Sequence, residues 1–269
     1  MPRERVVYAA TVVVNLLILL LGIYLVRYQS DWLEAHARIA KRVQELRVLA
    51  YGLLFAPPLL IFLRNRRRAA INANGIRLSG TQIAELHGTL EHFCRKLGLV
   101  DAPALYLSDG GIDGASAAFA ASGNQFIVIR PVFLVAPLEQ VRDVYEFAIG
   151  RELGRIRLGH TRWWDELLVA YVLMIPLLRN PLLHARAYEY DRYGAWLAPR
   201  SIGGLIVSAS GRQLLRSIDV PEYLRQAETA KDVWTWLANL TRREPHVAYR
   251  VRALLEAGLY DRASAARSA

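Results

Sequence analysis

Arg151-Glu152-Leu153-Gly154-Arg155 is the most chemically pointed run of residues in this chain. Side chains at i and i+4 share one face of a helix. Histidines at that spacing, in the pattern H-E-x-x-H, bind zinc together while the glutamate after the first serves as general base. Here both ligand positions are arginine, Arg151 and Arg155, and only the base position survives, as Glu152. A guanidinium stays protonated across the accessible pH range and has no lone pair to give a metal. Such a helix keeps its shape and loses its grip on zinc. Metal-bound water has a pKa of about 7. Without the metal, Glu152 has little to deprotonate, and between two arginines it reads as their counter-ion.

No other histidine pair takes over. His160 follows Arg151 by nine residues, about half a turn out of phase. His87 and His92 are five apart, and His36, His184 and His246 stand alone. Each reads as an ordinary surface or core histidine.

Positioning falls to the rest of the chain, which begins with apolar segments. Of 269 residues 54% are apolar, a share that points to membrane spans. Residues 6–26 carry no charge and exceed the roughly 20 needed to cross a bilayer. A second uncharged run, 48–63, is shorter and holds Pro57-Pro58, so by length it is marginal. The first run is too long for a signal-peptide core, and no small-residue cleavage site follows it, which makes it an anchor. Together the two runs predict a transmembrane hairpin within residues 1–68. Arg3 and Arg5 precede it and Arg64, Arg66, Arg67 and Arg68 follow it, placing both ends in the cytoplasm. The connecting loop is also basic, and a single span would put the large domain on the other side. The net charge of +10 is dispersed and accompanies no nucleic-acid-reading motif; anionic lipid headgroups are the expected partner of Arg64–Arg68. The lone Cys94 fits a reducing compartment, again the cytoplasm.

From residue 69 to about 260 the pattern is globular. Ser79 or Thr81 is placed to cap a helix that runs to Leu97 and stops at Gly98. Residues 104–107 and 125–129 read as strands separated by a glycine-rich turn region. Helical spacing runs over 138–158, placing Arg151 and Arg155 on a buried helix. Residues 167–178 are apolar but only a dozen long, with Pro176 inside: a buried or interfacial helix. Further helices are expected at 183–197, 202–215 and 247–257, and a frayed tail over 261–269. Trp163, Trp164, Trp234 and Trp236 suit either an aromatic belt at a bilayer surface or ordinary packing.

Five segments in order resemble the HtpX-type membrane zinc metallopeptidases, a gluzincin family related to the CaaX prenyl proteases. Glu85-Leu-His87 through Lys96-Leu-Gly98-Leu99 is similar to the family's first domain helix. Ala117-Ala-Phe-Ala120 resembles the N-A-F-A turn, and Phe126-Ile-Val-Ile129 the edge strand after it. Phe147 to His160 resembles F-x-x-x-H-E-L-G-H-I-x-x-G-H. Arg186-Ala-Tyr-Glu-Tyr-Asp-Arg-Tyr-Gly194 resembles R-E-Y-x-x-D-R-Y-G, whose glutamate is the third zinc ligand. Pro245 to Arg250 resembles the closing element, in which the arginine assists the oxyanion. The resemblance covers roughly residues 70–257. It implies an α+β, predominantly helical, zincin-like domain with a small β-sheet behind the membrane hairpin.

Every departure falls on chemistry. Ligand positions become Arg151, Arg155 and Ala187; the substrate-contacting asparagine becomes Ala117; the residue before Pro245 becomes Glu244. Glu189, two residues from Ala187, points about 200° away on a helix and does not replace it. Glu152 and Arg250 persist at the base and oxyanion positions, and Asp191 where the family steadies a ligand histidine. An arginine at 151 or 155 can pair with Asp191 or Glu152, setting an ion pair in place of the metal; an arginine-lined pocket for an anion and solvated side chains with no role are the other readings. The expectation is a membrane-anchored homologue without zinc or proteolytic activity that binds a membrane-protein client or an active peptidase partner, with no nucleic acid involved. The alternatives are an active zinc endopeptidase with ligands from elsewhere and a purely structural membrane protein.

Overall fold

Apolar runs at both ends of a basic connection make the first two elements long helices. The computed structural model describes residues 2–27, 37–108, 116–121, 124–131, 141–201, 203–210, 220–229 and 232–259. The 261–269 tail and His36 lie outside them. Helix α1 is Pro2–Arg27 and α2 is Ala37–Asn74, and the two pack on each other. The helical segments Glu4–Arg27 and Ala40–Ile71 each contain an 18-residue stretch long and apolar enough to cross a membrane, with mean hydropathies of 2.6 and 2.0. The second run, 48–63, lies inside a helix of 38 residues, with Pro57 and Pro58 in its interior.

Two arginines of the basic cluster turn back onto the protein. Arg64 donates to the Thr161 carbonyl at 2.6 Å and pairs with Glu166, while Arg68 is buried against Asn65. A guanidinium held by protein acceptors is not available to headgroups; Arg66 remains exposed.

The sheet contains β1 (Ile76–Arg77), β2 (Ala104–Leu107), β3 (Ser116–Ala121) and β4 (Asn124–Ile129), in the order β1-β2-β4-β3. β2 and β4 run parallel with Ala104 opposite Phe126, and the other two pairs are antiparallel. The period of two sorts the side chains. Leu105, Leu107, Ala118, Ile127 and Ile129 enter the main core; Tyr106, Ala117, Phe119, Phe126 and Val128 cluster on the other face with Ile71 of α2. This corrects two expectations. Residues 117–120 are strand, paired with β4 along their length, and the edge position belongs to β3 while β4 lies inside.

Helix α3 is Ala84–Leu97. Gly98 ends it with φ 64°, as expected, but neither Ser79 nor Thr81 caps it. Ser79 instead exchanges backbone hydrogen bonds with Gln82, and the helix starts after Ile83 in a left-handed conformation. The main core lies between the sheet, α3 and α4 (Arg142–Arg157). The free Cys94 is buried there, and burial pushes its thiol up to about 11.

Residues 167–178 are not one helix. The chain forms α5 (Trp163–Leu168), breaks at Val169, forms α6 (Ala170–Met174), breaks at Ile175 and enters α7 (Pro176–Leu197). Pro176 sits in the first turn of α7, where a missing N–H is harmless; α7 thus starts seven residues before the expected 183. Next come α8 (Gly203–Ser210), α9 (Val220–Thr229), α10 (Val233–Thr241) and α11 (Val247–Glu256). Two of these, α9 and α10, were not anticipated.

α4 and α7 approach unusually closely because glycines line the contact. A Cβ on Gly150 would come within 3.2 Å of the Gly194 Cα, one on Gly194 within 3.0 Å of the Phe147 ring, and one on Gly154 would collide with Tyr193. Replacing Gly154 by alanine is expected to cost about 1–3 kcal/mol through overpacking. Gly88→Ala, with open space around its Cβ, should gain about 0.5–1 kcal/mol. Urea unfolding in detergent checks the pair; equal stabilities would mean the helices are further apart than described.

Candidate functional site

One face of α4, pressed onto α7, carries two guanidinium groups into the interior. Arg151 is only 7% exposed and Glu152 wholly buried. Arg151 reaches three carboxylates: its Nη2 donates to Glu244 Oε1 at 3.0 Å, its Nε lies 3.1 Å from Asp191 Oδ1, and its Nη1 lies 4.0 Å from Glu152 Oε1. The Nε contact is electrostatic only, without hydrogen-bond alignment. Arg250, from α11, grips Asp191 with both prongs of its fork, Nε to Oδ2 at 2.7 Å and Nη2 to Oδ1 at 2.6 Å. Its Nη1 donates to Glu244 Oε2 at 3.2 Å. Bidentate, charge-assisted pairs of this kind are the strong ones.

Glu152 is held from two sides. Ser116 of β3 donates to its Oε1 at 2.9 Å, and Arg155 Nη1 lies 3.3 Å from its Oε2. Arg155 also stacks over the Tyr190 ring at 4.8 Å, a cation–π contact. The Tyr190 hydroxyl meets His160 Nδ1 at 3.0 Å. His160 therefore belongs to a polar chain beside the cluster. Three guanidiniums (Arg151, Arg155, Arg250) face three carboxylates (Glu152, Asp191, Glu244), and α4, α7 and α11 meet over them.

Electrostatics follow the geometry. The Arg151 guanidinium, then Arg250 and Arg155, hold the Glu244 carboxyl down to about 2 against the opposing effect of burial. For Arg151, burial works against the charge, but Glu244, Asp191 and Glu152 outweigh it and its pKa rises. Arg155 rises likewise, with Glu152 overcoming burial. Burial pushes the Tyr190 phenol up, opposed by Arg155.

These residues do not fit zinc. Two of the three positions that the motif would use carry fixed cations, and the third, Ala187, presents a buried methyl. Among the described residues no three His, Cys, Asp or Glu side chains gather as a metal-holding group. Glu189 pairs with Arg192 at 3.0 Å and lines a cavity of about 660 Å³ that none of the cluster residues borders. His184 spends its Nε2 on the Arg242 carbonyl at 2.8 Å, and His87 pairs with Glu91 at 3.6 Å. Trp163, Trp164, Trp234 and Trp236 are all exposed.

Sequence reasoning placed Arg151, Arg155, Glu152, Asp191, Ala187 and Arg250 in one region; ion pairs join five of them, and Ala187 is buried one helical turn before Asp191 on α7. It did not assign Glu244 or Ser116 to the cluster. The signal for Glu244 was charge balance: three arginines entering an interior need more carboxylate than Glu152 and Asp191 supply. Ser116 had no comparable signal, because the strand that delivers it was read as a turn. Compared with protein-family models, curated proteins and solved structures, the chain matches none.

Removing one partner of this cluster leaves an uncompensated buried charge. Asp191→Ala is expected to cost about 3–5 kcal/mol, read as a lower urea midpoint in detergent; a change below about 1 kcal/mol would mean that Arg250 and Arg151 do not depend on it. Glu244 adds a pH dependence. Its folded pKa of about 2 lies below the ordinary 4.5, so its stabilising effect is complete above pH 4.5 and is lost as pH falls toward 2. The stability gap between wild type and Glu244→Gln should therefore shrink on acidification from pH 6 to about pH 2. Half its side chain is exposed, so solvent screening keeps that gap modest. A gap that is flat with pH would remove Glu244 from the account.

Proposed function

We propose that this chain is a membrane-anchored, zincin-like domain in which an arginine–carboxylate cluster stands where a metal centre would be, and that it acts as a binding or regulatory module, not as a peptidase. The observation carrying this reading is the internal satisfaction of Arg151 and Arg155. Each is neutralised by carboxylates of its own chain, so neither is held out for a substrate anion, and Glu152 is tied to Ser116 and Arg155.

The membrane side of the reading rests on two contacts. Glu4 at the start of α1 lies 3.4 Å from His160, and Arg64 near the end of α2 donates to the adjacent Thr161 carbonyl at 2.6 Å. Both outer ends of the helix pair therefore meet one turn of the globular part, as a hairpin with its domain on one side of a bilayer requires. The basic residues at those ends favour the cytoplasmic side. The partners this implies are lipid and either a membrane-protein client or an active peptidase subunit. Nucleic acid is not among them, since the arginines are dispersed or consumed in ion pairs.

Zinc content of the detergent-purified protein, measured beside the triple variant Arg151→His, Arg155→His, Ala187→Glu, tests the reading. We expect metal-free wild type and about one zinc per chain in the variant. Stoichiometric zinc in the wild type, or a chelator-sensitive peptidase activity, would sink it.

A further inference from the structure

The helix α1 carries a polar stripe in an otherwise apolar sequence. Glu4, Tyr8, Thr11 and Asn15 recur at steps of four, three and four, one face of a helix. Thr11 and Asn15 are buried, while Leu16, Leu17, Leu20 and Leu21 are exposed. The partners of the stripe lie within residues 160–171 and on Arg186 of α7. Glu4 meets His160, and Tyr8 lies under the Arg186 guanidinium that holds Asp165 at 2.8 Å. Asn15 then accepts from the Tyr171 N–H at 2.7 Å and donates to the Leu167 carbonyl at 3.4 Å.

That last pair of bonds falls on the break between α5 and α6. A broken helix leaves peptide groups without intrahelical partners, and inside a bilayer only protein can supply them. Asn15 takes one N–H and one C=O at the break. Depth follows from the helix rise: Asn15 lies about 16 Å along α1 from Glu4, roughly half of a hydrocarbon core about 30 Å thick. α2 gives a second ruler. Pro57, Leu60 and Ile61, up to about 10 Å above Arg64 along the axis, share the walls of a cavity of about 430 Å³ with Leu173 and Met174, and Arg64, Glu166, Arg179 and Arg243 line it too. Beyond the break, Met174, Ile175, Leu177 and Leu178 are exposed, at 49%, 41%, 62% and 42%. Trp163 and Trp164, beside Asp165 at the shallower level of Tyr8, are exposed where a headgroup boundary would lie.

We propose that residues 163–178 form a third membrane-embedded element, a broken helix docked between α1 and α2. The outward side chains of Met174, Ile175, Leu177 and Leu178 contact lipid acyl chains, and Asn15 closes the break. The proposal rests on the reading that α1 spans the bilayer.

The test is spin-label accessibility in phosphatidylcholine–phosphatidylglycerol vesicles, using the full chain with Cys94→Ala. Leu177→Cys reports the element, Leu20→Cys reports α1, and Val100→Cys, at a residue 97% exposed outside both spans, reports water. Labels at 177 and 20 should both collide with oxygen and lose access to a polar nickel chelate, unlike the label at 100. If the label at 20 is shielded and the one at 177 meets the chelate, this proposal falls and the spanning reading stands. If both meet the chelate, the spanning reading falls and takes this one with it. In Asn15→Leu, hydrogen exchange at the Tyr171 amide should accelerate about tenfold; unchanged exchange would remove Asn15 from its role.

Discussion

Burying guanidinium groups is the constraint on which this structure turns. An arginine cannot shed its proton to enter a low-dielectric interior, so every buried one must bring acceptors with it. Arg151 and Arg250 are almost wholly buried, and the helices that supply their acceptors are thereby fixed relative to one another. Asp191 ties α7 to both α4 and α11, and Glu244 ties the approach to α11 back to α4. A buried ion pair contributes little net stability compared with apolar packing. Its effect here is directional: the bonds from Asp191 and Glu244 tie α4, α7 and α11 to one another. The glycine contact between α4 and α7 belongs to the same arrangement, because it brings the two backbones close enough for Arg151 to reach across.

The strongly periodic or punctuated parts of the fold were legible in the sequence. Long apolar runs gave the first two helices, Gly98 marked the end of α3, and β-branched residues marked β4. A mostly helical chain with a small sheet follows from those signals. What was lost had weak or competing signals. β3 is largely alanine, a poor strand former, and becomes strand because β4 offers it a ladder. Ser79 looked like a cap but is used in a tight turn, leaving Ile83 in a conformation that its side chain does not favour. Pro176 marked the break at Ile175, but Val169 gave no sequence sign of one, since what makes the break tolerable there is a side chain from α1 more than 150 residues away.

The candidate site was legible in kind and not in extent. An i, i+4 pair with an acid between them shows by spacing alone that Arg151, Glu152 and Arg155 share a neighbourhood. Which other acids join them depends on how α11 folds back, and no local pattern encodes that. The polar stripe on α1 is a parallel case. Asn15 and Thr11 stand alone in an apolar run, yet they are buried on the face that the rest of the protein covers.

Ion pairs built from the chain's own side chains also change what the fold depends on. A junction held by a metal is only as complete as its loading, so its stability tracks the free concentration of an ion through RT ln(1 + [L]/Kd). Arg151, Arg155 and Arg250 are present at unit stoichiometry in every molecule from synthesis onward. The junction of α4, α7 and α11 needs no delivery step and has no apo form, and it is indifferent to scarcity of the ion.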